Sequence, residues 1–322
     1  MLDVELPCSK EAREVLQAGL TDPLVRHAVF ALRALRKDLE TSRDIPTPAL
    51  QPTPNYQYGI EHYTMTLRGL VVNLSAPGTH ELKSALLCCE MLISIEQVQK
   101  NYVAMAQHII GGLSIMRKYR ARSYLDASNR LESTASDQLP LLDVFLVKLF
   151  AAPCKFADSP IVLAATETTL SVSSALSHRQ RVKNPERTIK PDMRAPLTRI
   201  ATSTLEFLDK VSQVQSRRDA VHLLSERRTL LDSLTSWLTK FEHTQIGLGP
   251  VAIEPISSSF MRLFHQTLKI VILGTLESST EILTTLQTEN KRLVDIANNV
   301  SEKIGTYKSY GGTSRNQRER TT

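Results

Sequence analysis

Apolar residues recur at helical spacing through most of this chain. The clearest case follows Thr21-Asp22-Pro23: Leu24, Val25, Ala28, Val29, Leu32, Leu35 and Leu39 fall on one face, opposite Arg26, Arg33 and Lys37. Asp22 can accept from the free amides of a first turn, and Pro23 suits a position where its missing N–H costs nothing, so a helix starts there. Pro46, Pro48, Pro52 and Pro54 then hold a loop extended before a second helix over 56–73, which Ala76-Pro77-Gly78 ends. Thr79 is placed to cap the next. Two helices over 81–98 and 102–118 follow, joined only by Gln99-Lys100-Asn101, a link short enough to force antiparallel neighbours.

The interval 122–138 is polar, and helical patterns resume at 139–151 and 161–176. After a basic, proline-containing stretch, the spacing predicts helices over 197–214 and 219–243. The latter carries a stripe of Leu223, Leu224, Leu230, Leu231, Leu234, Trp237, Leu238 and Phe241. Leu224, Leu231 and Leu238 are heptad-like, but the set is short and Arg227 interrupts the face, which favours packing within the chain over a dimerising coiled coil. Gly247, Gly249 and Pro250 mark a loop; a helical pattern then runs over 257–301, with a break placed near Glu289-Asn290, and Gly311-Gly312 opens a polar tail expected to be disordered. No apolar and polar alternation persists long enough to require a sheet. The reading is all-α: antiparallel helical hairpins packed as a bundle or a short solenoid-like array. Its parts are 1–176, a linker at 177–196, a second helical part at 197–305 and a tail at 306–322.

Composition agrees: aromatic content of 5% and only 12 glycines in 322 residues disfavour a turn-rich sheet protein, while 42% apolar residues suffice for a core. The first residues, MLDVELPCSKEAREVL, lack the basic-then-apolar order of a secretory signal, and the apolar run at 270–276 is too short to span a bilayer, so the expected location is the cytosol or nucleus. The charge of +6 becomes informative once located. Seven basic residues and two acids lie between Arg179 and Arg199, and four and one between Lys308 and Thr322, leaving the remainder at −2. The folded body is therefore not a broadly positive surface for gripping nucleic acid. Within the basic stretch, Arg179, Arg181, Lys183, Arg187 and Lys190 read either as a solvated connector or as a nuclear-import or acidic-partner segment.

Candidate chemistry is sparse. Cys88 and Cys89 are adjacent, point in different directions on a helix and have no base nearby in sequence, so they read as packing thiols. His108 lies among Tyr102, Met105, Ile109 and Ile110 with no acid or histidine at i+3 or i+4, which favours a structural or surface role over metal ligation. No G-x-S-x-G, H-E-x-x-H, P-loop or G-x-G-x-x-G motif is present, so neither catalytic, cofactor nor metal residues are assigned and an enzyme is the less favoured class. Gly111-Gly112 inside a helix costs about 1 kcal/mol per residue relative to alanine, and close approach of a partner helix would offset it.

Three segments carry a resemblance. "DPLVRHAVFALRAL", then "YGIEHYTMTLRGL", then "ALLCCEMLISIEQVQKNYVAMAQHIIGGLSIMRK" resemble, in this order, the helical regulatory region of fungal zinc binuclear cluster transcription factors. The elements are a P-x-[IV]-R-H-A helix, a helix with a tyrosine, and a hairpin with an aromatic after its turn, here Tyr102. The likeness is clearest over residues 23–119 and looser through "LPLLDVFLVKLFAAPCKF" and "FMRLFHQTLKIVILGTL". It implies a nuclear transcriptional regulator, with control of a secondary-metabolite gene cluster as a common setting. Such factors usually begin with a six-cysteine zinc cluster, which these residues do not contain, so the expected partners are proteins of the transcription machinery or a DNA-binding partner rather than DNA directly. A truncated, inactive remnant and a biosynthetic enzyme with a non-local site are the alternative readings.

Overall fold

A computed structural model describes residues 9–42, 52–75, 77–135, 139–157, 192–246 and 256–316. The basic residues Arg179, Arg181, Lys183, Arg187 and Lys190, the predicted helix at 161–176, most of the linker and the loop at 247–255 lie outside them. The elements are α1 (Ser9–Thr21), α2 (Pro23–Ser42), α3 (Pro54–Ser75), α4 (Thr79–Gln99), α5 (Tyr102–Lys118), β1 (Tyr124–Leu125), β2 (Leu131–Glu132), α6 (Leu142–Ala157), α7 (Arg194–Ser212), α8 (Arg217–Ile246), α9 (Ile256–Leu273), β3 (Leu276–Glu277) and α10 (Thr280–Asn316). The all-α expectation holds, with successive helices paired as hairpins.

Local signals account for the first elements. Oδ1 of Asp22 accepts from the Leu24 and Val25 amides at 2.8 and 3.3 Å, capping α2 as predicted. α1 was not anticipated. Its carboxyl end is closed by Arg26, whose guanidinium donates to the Gly19 and Leu20 carbonyls at 2.9 and 2.7 Å, and Val15 joins it to the core. Thr79 does not cap α4: Gly78 is the N-cap residue, without a side-chain bond. Between α4 and α5 the tight turn is made by Lys100 at φ 62°, and Asn101 accepts from the Ala104 amide to cap α5.

α4 is buried around its whole circumference over its central turns. Every residue from Ser84 to Glu90 is buried, two turns with no solvent face, and its two sides serve different apolar clusters. Ala85, Leu87, Cys88, Leu92 and Ile95 pack with α1, α2 and α3, where Gly59 and Gly69 of α3 let Leu35 and Leu24 of α2 approach closely. Leu82, Leu86, Cys89 and Ile93 face a larger cluster that runs through α5 to α10. Residues from both sides of the basic segment, such as Leu146 and Phe207, share that cluster. The heptad-like Leu224, Leu231 and Leu238 are partly buried against it, so they pack within the chain.

Three differences from the sequence reading have physical causes. The polar interval after α5 contains β1 and β2, and β1 also pairs in parallel with β3, giving a sheet of order β2-β1-β3 with strands of two residues. Such strands leave no readable alternation. The break in the last helical stretch falls at Gly274 and Thr275, not at Glu289-Asn290. Glu289 is tolerated mid-helix because Gln266, Lys269 and Arg292 bind its carboxylate at 2.8 to 3.0 Å. Finally, α10 continues to Asn316 through the Gly311-Gly312 pair where a disordered tail was expected, and α7 begins at Arg194, inside the predicted linker.

The glycine pair divides in role. A Cβ on Gly112 would stand 2.2 Å from Leu142 Cδ2 and 3.3 Å from Cys89 Cβ, whereas one on Gly111 meets nothing within 4 Å. Gly112 is where α4, α5 and α6 touch; Gly111 only weakens its helix. Gly111→Ala is therefore expected to raise the unfolding free energy by about 1 kcal/mol. Gly112→Ala should lower it by about 1–2 kcal/mol through overpacking, with urea denaturation as the measurement.

Candidate functional site

The segments that carry the family resemblance converge around α4. Asp22, besides capping α2, accepts a hydrogen bond from the Ser84 hydroxyl of α4. On the neighbouring residues of α2, His27 Nδ1 lies 2.7 Å from His62 Nδ1 of α3, so one ring donates and the other must be neutral to accept. Burial and the adjacent His27 hold the His62 pKa below its ordinary value. One residue on, Tyr63 donates to Glu96 Oε1 of α4 at 2.5 Å, and burial together with that carboxylate raises the phenol's pKa. Glu96 is 2% exposed, and His108 Nε2 of α5 stands 3.8 Å from the same oxygen. The histidine thus faces an acid, but one on the partner helix, which sequence spacing cannot reveal.

This constellation is suited to holding four helices in register. Cys88 and Cys89 are buried against different clusters, free, and held as thiols: burial pushes both up, Cys89 to about 12. Among the described residues no group of three or more His, Cys, Asp and Glu is placed to hold a metal ion. The buried arginines are committed to structure. Arg122 makes a two-point pair with Asp143 at 2.7 and 3.0 Å and donates to the Leu208 carbonyl and Ser212 hydroxyl. Arg227, which interrupted the α8 stripe in sequence, donates to the Thr275 carbonyl at 2.9 Å and to Glu277 at 2.7 Å, fastening the turn into β3.

Of the cavities among the described residues, two border this framework on its α6 side. One, of about 590 Å³, is polar and lies between α1, α4, α6 and α7, with Lys148 paired to Glu11 at 2.5 Å and Glu90 on its wall. The other, of about 340 Å³, is apolar and lies between α5, α6 and α9. Tyr102, the aromatic after the α4–α5 turn, reaches it by meeting Phe260 edge to face at 5.1 Å between ring centroids. Sequence reasoning singled out Tyr102 but missed the cavity, whose walls come from residues up to 167 positions apart in the chain, Gln97 to Phe264.

The chain is 53% identical over 309 residues to transcription regulator lscL of Purpureocillium lilacinum, an alignment covering 94% of this chain and 74% of that protein. No model of a known protein family matches, and no solved structure does.

Glu90 yields a pH test. Burial, reinforced by Glu11 and Glu14, raises its pKa from an ordinary 4.5 to about 8. Folded chain then keeps a proton that unfolded chain releases, so stability is greatest below pH 4.5 as far as this group is concerned and falls as pH rises towards 8. Glu90→Gln should abolish that fall. Its stability gain over the parent, read from urea midpoints, is expected to grow steadily from pH 5 to pH 8; a constant difference would contradict the assignment.

Proposed function

The chain belongs to the family of transcription regulator lscL, and on that premise we propose that it is a fungal transcriptional regulator whose helical body works by contacting other proteins in the nucleus. The observation that carries this reading is identity of 53% sustained over nearly the whole chain. Two features support it. The elements resembling the regulatory region of fungal zinc binuclear cluster factors are those joined through Asp22, His27, Tyr63 and Glu96, so the resemblance rests on a cooperating framework. The side chains that could do chemistry, Cys88, Cys89 and His108, are engaged in packing or face a buried carboxylate, which favours a binding role over an enzymatic one.

Within this reading the regulated genes form a metabolic set, with secondary metabolism as the setting the resemblance implies. The basic residues Arg179, Arg181, Lys183, Arg187 and Lys190 direct nuclear entry or meet an acidic partner. The working contacts are with the transcription machinery or a DNA-binding partner.

Deletion of the gene tests the central statement: transcript profiling is expected to show a coherent group of altered genes. An unchanged transcriptome with a lost metabolite would favour an enzyme instead. Replacing the five basic residues by alanine in a fluorescent fusion is expected to move signal from nucleus to cytoplasm, while undiminished nuclear signal would assign the stretch to a plain connector.

A further inference from the structure

The cavity between α5, α6 and α9 has a composition that the framework around α4 does not explain. Its volume of about 340 Å³ falls in the range of small-molecule sites. Its walls are dominated by Tyr102, Phe150, Phe260, Met261 and Phe264, a surface of rings and a polarisable thioether that accepts flat or flexible apolar bodies. A core void would be filled by such side chains. Here they stand around open space, and Phe150 and Phe264 stack on each other at 5.8 Å.

The polar groups on the wall are few and of one character. Arg194 is the only formal charge among the lining residues, with Gln97 and Ser257 as the neutral polar members and no acid. Arg194 is half-buried, and no ion pair is formed to it among the described residues, in contrast to Arg122 and Arg227, each tied to a carboxylate. The backbone at Arg194 is anchored. It opens α7, its amide donates to Asp192 at 3.0 Å, and the carbonyl of the preceding Met193 accepts from the Trp237 indole at 2.9 Å. A cation beside an apolar chamber, its backbone anchored and its guanidinium in no ion pair among the described residues, is complementary to an apolar body ending in a carboxylate.

We propose that this cavity is a binding site for a small apolar carboxylate, with Arg194 pairing the acid group and the aromatic walls taking the body. Binding does not depend on the transcriptional reading and can hold whether or not that reading does. If both hold, the site gives the regulator a metabolite input through the α5, α6 and α9 face of its core.

The test uses the full chain and two probes that differ in charge but little in shape, 4-phenylbutanoate and 4-phenylbutan-1-ol, titrated calorimetrically at neutral pH. One equivalent of the carboxylate per chain is expected, with the alcohol at least about tenfold weaker, the discrimination of one charge-assisted pair. Arg194→Gln should bring the carboxylate down to the level of the alcohol while leaving the alcohol, and the melting temperature without probe, unchanged. Arg194→Glu should weaken the carboxylate further without weakening the alcohol. Absence of binding by both probes, equal affinity for the two, or equal weakening of both by Arg194→Gln would each overturn the proposal.

Discussion

Burial of α4 on every side is the constraint from which the rest of the molecule follows. A helix satisfies its own backbone and can be sunk in apolar surroundings, but its polar side chains then have to find partners from neighbouring elements. Three such side chains lie buried along α4. Ser84 is met by Asp22 of α2, and Glu96 by Tyr63 of α3 with His108 of α5 close by; Glu90 faces a cavity edged by Glu11 and Lys148. The contacts of Ser84 and Glu96 fix α2 and α3 against α4, whereas Glu90 has no such partner. The adjacent thiols of Cys88 and Cys89 mark the same division in apolar terms, one facing each cluster.

The electrostatics of this interior are uneven. Glu289 sits among Gln266, Lys269 and Arg292, and although burial alone would raise it, those bonds and charges leave its pKa lowered. Glu90 is raised instead, chiefly by burial and further by Glu11 and Glu14, which the opposing charge of Lys148 does not offset. His265, buried against the Leu234 carbonyl, is lowered to about 4 and stays neutral under ordinary conditions. A buried ionisable group is stabilising only where a partner meets it, and in this chain the partnered groups fasten elements while Glu90 remains as a pH-dependent weakness.

Division of labour follows. The framework from α1 to α5 has its specific side chains spent on each other, and the turn regions around β1 and β3 are fastened by Arg122 and Arg227. The chamber beside Tyr102 and Arg194 differs from the polar cavity beside Lys148 and Glu90 in that its walls are apolar and its cation meets no lining acid.

Much of the architecture was legible in the sequence. The Asp22-Pro23 start, the hairpin over 81–118, the stripe of α8 and the all-α class all rest on period, capping and short turns, which are local properties. Local rules also missed what depends on distant partners. Strands of two residues have no period, so the small sheet was invisible; Glu289 looked like a helix breaker until Gln266 and Lys269 were brought to it. Gly111 and Gly112 are indistinguishable in sequence, and only the seating of Leu142 and Cys89 makes one of them necessary. Where helices form, and that Cys88 and Cys89 diverge, can be read from the residues because both follow from backbone geometry within a few positions. Tertiary structure alone decided that His108 faces Glu96 and that Tyr102, Phe264 and Arg194 enclose one chamber, because those neighbours are set by packing between elements far apart in the chain.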